Sequence, residues 1–141
     1  MFVELFGLSV GRLVSSSYLA GSVFTVQSAV LAACGAAQEA CRAFVRADAS
    51  DQASRYAVTA ARLSLQAQGV RDPAVSVHPL GDSCSAPTVE PALEPGASYI
   101  ICVRFNVALP FADAGFMAEA LHAPTITGRT RVTVDEYRSQ R

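Results

Sequence analysis

The chain has 141 residues, which is enough for one domain or one domain plus an anchor. Half of the residues are apolar and 16% are charged, well below the roughly 25% of an ordinary soluble domain. The formal net charge is −1, every basic residue is Arg and there is no Trp, so neither a basic stripe nor a stacking platform points to nucleic acid.

Proline placement divides the chain. All seven prolines lie between Pro73 and Pro124, which leaves the first 72 residues free to be helical. A long N-terminal helix is expected first. Within it Leu13 to Gln38 carries no charge over 26 positions, more than the roughly 20 that cross a bilayer. Arg12 closes this run on one side and Glu39, Arg42 and Arg46 on the other. Serines and Thr25 dilute its apolar character, which suits a helix packed against other helices. Ser17, Gly21, Thr25, Ala29, Ala33 and Ala37 recur at a spacing of four, and Gly7 and Gly11 form a GxxxG. Small residues at that spacing let helix backbones approach closely in lipid. Arg12 ahead of the run fits a cytoplasmic N-terminus.

Residues 47–50 read as a break, with Asp48, Ser50 and Asp51 as helix-start residues. The predicted second helix runs from about Asp51 to Gln68, with Tyr56, Ala60, Leu63 and Ala67 as its apolar face, Gly69 at its end and Pro73 beyond. Being amphipathic, it is expected to cover the sheet.

Three strands are predicted. Ala74–His78 places Val75 and Val77 on one side. Ser98–Leu109 turns Tyr99, Ile101, Val103, Phe105, Val107 and Leu109 one way, and Ile100, Cys102, Arg104, Asn106 and Ala108 the other. Ile126–Val134 alternates again, with Gly128 as a bulge. The resulting fold class is α+β, with a long N-terminal helix and a second helix packed on a three-stranded antiparallel sheet. Residues 1–46 form the anchor or assembly helix and 47–141 the head.

Gly81–Ala97 is a Pro-, Ser- and Gly-rich loop whose length needs a tie. A Cys84–Cys102 bridge would supply one, contributing about 3 kcal/mol in the chain-entropy model. Cys34 and Cys41 would stand about 10 Å apart on one helix and cannot bridge each other there. His78 and His122, each close to a proline, read as ordinary exposed residues. With Cys84 and Cys102 they lack the spacing of a structural zinc site. No phosphate loop or nucleophile elbow is present. The expectation is a protein without enzyme activity, cofactor, metal or small-molecule substrate. Val107–Met117 is an apolar loop suited equally to partner contact and to core packing.

Phe2-Val3-Glu4-Leu5, the apolar helix, Ala36-Ala37-Gln38-Glu39-Ala40-Cys41-Arg42-Ala43, a short second helix and a strand-rich end with two Cys occur in that order. The whole arrangement resembles the TadE-like family, minor pilins or pseudopilins of the tight-adherence (Flp, type IVc) pilus machinery. The resemblance implies a pilin-like structural subunit that assembles through its N-terminal helix. It gives Glu4 the role of pairing with a neighbouring subunit's terminal amine, and a carboxylate in an apolar helix usually marks function. Gly7, Gly11, Gly21, Ala29, Ala33 and Ala37 become candidate assembly contacts. The implied partners are other pilin or pseudopilin subunits, the assembly proteins and the membrane. The head would lie outside the cytoplasm or in an extracellular filament. The chain departs from the family pattern in its interrupted run (Gly7, Ser9, Gly11, Arg12, Ser15–Ser17) and in having no leader glycine ahead of Phe2. The alternative is a secreted or membrane-anchored α+β binding module with no filament role, whose first helix is a core helix.

Overall fold

The computed structural model describes residues 2–109 and 123–136. Helix α1 spans Phe2–Arg46 and α2 spans Ser50–Gln66. Strands β1 (Ala74–Pro79), β2 (Ser98–Asn106) and β3 (Thr125–Thr133) form one antiparallel sheet in the order β1-β2-β3. This is the α+β arrangement expected from the proline division and the alternating runs.

The break between the helices falls where the Asp- and Ser-rich stretch placed it, but no side chain caps α2. Ala49 stands at the N-cap in extended conformation, and Ala53 N–H donates to its carbonyl at 2.9 Å. At the far end Gly69 adopts φ +78°. Val70 N–H donates to Leu65 O and Gly69 N–H to Gln66 O, both at 3.0 Å. Those paired bonds satisfy the last carbonyls of the helix, and the left-handed position they require favours glycine.

Two packing expectations are corrected. The buried face of α2 is Ala53, Ala57, Ala61 and Leu65, whereas Tyr56 and Leu63 are 51% and 61% exposed. The helix that crosses β2 and β3 is α1; α2 packs on α1 and meets the sheet at β1. One cause underlies both. The two helices share a core cluster built largely from Ala32, Ala36 and Ala40 of α1 and Ala53, Ala57 and Ala61 of α2. Methyl-sized side chains permit close approach of the axes, and bulkier residues would hold them apart.

Gly128 is not a bulge, because the β2–β3 register runs unbroken with Val103 opposite Gly128. A Cβ there would lie 2.5 Å from the Ala33 carbonyl oxygen and 2.9 Å from its Cβ. The glycine therefore lets α1 seat directly on β3. Phe44 at the end of the buried α1 face meets Tyr99 of β2, ring centroids 5.7 Å apart.

The loop after β1 starts as a strap over the sheet face opposite α1 and then passes to the helical side, where Leu93 packs against the core. Cys84 and Cys102 are joined by a disulfide with Cα atoms 5.7 Å apart. Arg104 donates to the Cys84 carbonyl at 2.8 Å, and the Tyr99 hydroxyl donates to Ala92 O. Gly96 N–H donates to Val134 O, and Val134 N–H to Ala97 O. The outer face of β2 is consequently buried at Ile100 and Cys102. His78, expected to be exposed, is 1% exposed. Its Nε2 lies 2.8 Å from Ser76 Oγ, and its buried Nδ1 has no hydrogen-bond partner among the described residues. His122 and most of the apolar loop, from residue 110 on, lie outside the described residues; Val107 at its start is buried in the core.

Candidate anchoring and assembly surface

Helix α1 has two environments. From Ala29 to Phe44 its inward face is buried under the sheet and α2. From Val3 to Ser28 no residue is buried. That segment is about 39 Å long at 1.5 Å per residue, more than the roughly 30 Å hydrocarbon core of a bilayer. Helix α1 is the helix long and apolar enough to cross a membrane among the described residues.

The exposed apolar side chains of this segment are large: Val3, Leu5, Phe6, Leu8, Leu13, Leu19 and Phe24 among them. At 100° per residue they spread over most of the circumference and form no narrow stripe. A soluble surface helix keeps a polar side facing water, and this one has little to keep there.

Six of its hydroxyls are already satisfied. Ser9 Oγ donates to Leu5 O, Ser15 to Gly11 O, Ser16 to Leu13 O, Ser22 to Tyr18 O, Thr25 to Gly21 O and Ser28 to Thr25 O, all within 3.0 Å. Bonding back to the preceding turn lowers the cost of placing a hydroxyl where no water can reach it. The serines thus dilute the apolar run less than their number suggests.

The candidate assembly residues fall into two groups. Glu4 is exposed in the first turn, where a carboxylate is favoured by the helix dipole. Gly7, Gly11 and Gly21 have open space where a Cβ would stand. Ala29, Ala33 and Ala37 are 9%, 1% and 0% exposed and are occupied by the chain's own head. The spacing of four that joined them in sequence spans the boundary between free and buried helix.

Cys34 is an exposed free thiol, and Cys41 is a free thiol whose partial burial pushes its pKa from 9.0 up to about 11. Tyr99 is raised by burial, opposed by its bond to Ala92 O and reinforced by Glu94. Among the described residues no group of Asp, Glu, His and Cys is arranged to hold a metal ion. An open groove lined by Asp51, Ser54, Arg55, Thr88, Val89 and Glu90 lies between the start of α2 and the strap. There Asp51 and Arg55 are paired with each other.

Sequence reasoning located the projecting helix and the disulfide, and it missed the buried His78 and the strap over it. Comparison with known proteins finds no matching family model, no matching curated protein and no matching solved structure.

Proposed function

We propose that this chain is a structural subunit of the minor pilin or pseudopilin kind. Its α1 would sit in the membrane and dock other subunits of a type IVc pilus or related secretion machine, with the head outside the cytoplasm. The observation that carries this reading is the segment Val3–Ser28, apolar around most of its circumference, with six of its hydroxyls bonded internally and none of its residues buried among the described residues. The Cys84–Cys102 bridge supports an oxidising compartment, because such bonds persist outside the reducing cytosol. On the free segment Glu4, Gly7, Gly11 and Gly21 are the residues open to a neighbouring subunit.

The reading of a small binding module with a core helix draws on one observation, the burial of Ala29–Phe44 under the sheet. That burial accounts for the C-terminal part of α1 and leaves Val3–Phe24 without a reason to be apolar. The test is detergent phase separation of the full chain, followed by cross-linking in membranes. The full chain should enter the detergent phase, and Leu19→Arg should shift it toward water without altering head melting, because Leu19 is 63% exposed and touches no core. Gly11→Leu should reduce cross-linked species. A wild-type protein that stays aqueous and monomeric would sink the proposal.

A further inference from the structure

Strand β3 is an edge strand: β2 occupies one side, and no described strand or backbone hydrogen bond occupies the other. Such an edge presents a row of unpaired N–H and C=O groups. Its inward side chains alternate onto α1, whereas Thr125, Thr127, Arg129, Arg131 and Thr133 face outward and are exposed. Arg129 and Arg131 stand about 7 Å apart on that face, the two-residue repeat of a strand.

Among the described residues no ion pair involves this arginine pair. None of the three strands contains Asp or Glu. The ion pairs Arg42–Glu39 and Arg55–Asp51 both lie on helices, and Arg131 donates to the Ser98 hydroxyl at 3.2 Å. No aromatic side chain shares the outer face of β2 or β3, so stacking on a base or sugar ring has no platform there. The surface offers main-chain pairing along an open edge and two cations at strand spacing.

We infer that the free edge of β3 accepts an extended acidic segment of another protein as a fourth strand, with carboxylates at alternate positions opposite Arg129 and Arg131. Main-chain bonds would hold the strand and the arginines would select it. A second copy of this chain is disfavoured as the added strand. Its own β3 would set Arg against Arg, and like charges directly opposite destabilise a pair. The inference is independent of what α1 does, since the edge belongs to the head.

The test uses the full chain in nonionic detergent and a fluorescent nine-residue peptide of alternating Thr and Glu. Control peptides carry Gln in place of Glu, or a methyl group on every backbone nitrogen. Saturable binding of the Thr-Glu peptide is expected, falling roughly tenfold for the Gln peptide and for the R129E/R131E protein. R129Q/R131Q serves if the reversal impairs folding, which melting would reveal. The N-methylated peptide keeps the charge but cannot donate to the edge, and it should not bind. Equal binding of the N-methylated peptide would reduce the contact to charge attraction and overturn strand pairing. Equal binding of the Gln peptide would remove the arginines from the account. No binding of the Thr-Glu peptide would refute the inference outright, whatever the outcome of the α1 experiments.

Discussion

Gly128→Ala probes how α1 is seated on the sheet. The added methyl would stand 2.5 Å from the Ala33 carbonyl oxygen, 2.7 Å from its carbonyl carbon and 2.9 Å from its Cβ. Two of these three atoms are backbone, so no rotamer change relieves the contact, and α1 must lift from β3 by a good part of an ångström. Overpacking of this kind costs about 2 kcal/mol. A head of this size should then melt about 10 °C lower. The reverse sign is expected at Gly35, also on α1 but with open space at its Cβ: Gly35→Ala should raise stability by up to about 1 kcal/mol through helix propensity. A double variant, Gly128→Ala with Ala33→Gly, removes the Cβ contact and leaves the carbonyl one, so it should not recover. The assay is thermal unfolding of the full chain in detergent, followed by circular dichroism. A Gly128→Ala protein that melts with the parent, or a double variant restored to parental stability, would refute the close backbone approach.

Replacing Cys84 and Cys102 by Ser should cost about 3 kcal/mol in denaturant unfolding, and thiol labelling of denatured, unreduced wild type should reach only Cys34 and Cys41. Ala37→Leu should destabilise the head by about 2 kcal/mol, because Ala37 is 0% exposed within the chain; unchanged melting with altered subunit cross-linking would instead assign it to an interface. Cys41 gives a pH signature. Its folded pKa of about 11 lies above the ordinary 9.0 because burial disfavours the thiolate, so the protonated thiol is favoured by folding. The associated stability is complete below about pH 9 and declines as pH rises toward 11, where the unfolded chain releases the proton first. Cys41→Ala should flatten that decline, and an unchanged pH profile of unfolding would contradict the assignment.

Sheet order and helix count were legible because their signals are local. Proline position marks where helix must stop, and Tyr99, Ile101, Val103 and Phe105 alternate with a period only a strand can use. The Gly69 turn was legible for the same reason. Which face of α2 would be buried was not. Tyr56 and Leu63 outrank alanine on any hydrophobic scale, but the facing surface of α1 is itself alanine, and close approach rewarded Ala53, Ala57 and Ala61 instead. His78 shows a second kind of limit. It is buried on the sheet face that also carries Ile100 and the Cys84–Cys102 bridge, and its neighbours in sequence carry no sign of that. Gly128 carried an ambiguous sign: glycine inside a strand marks either a bulge or a close neighbour, and only the position of Ala33 above it decides.

The same ambiguity governs α1, where it bears on function. Small residues at a spacing of four serve a helix that packs on another subunit and a helix that packs on its own sheet, since both require close backbone approach. The stripe from Ser17 to Ala37 therefore reads as one surface in sequence, although the head occupies it from Ala29 onward. What separates the two uses is the N-terminal length of the helix. Leu5, Phe6, Leu13, Leu19 and Phe24 lie where no head is present, and they stay exposed in a chain that buries Phe44 and Leu65 completely. Burying such side chains is worth roughly 1.5–3 kcal/mol each, and that stabilisation is still open to lipid or to a neighbouring helix. Anchoring through the N-terminal segment is thus argued from the large residues the head leaves uncovered, and the glycines at 7, 11 and 21 set only how closely a neighbour can approach.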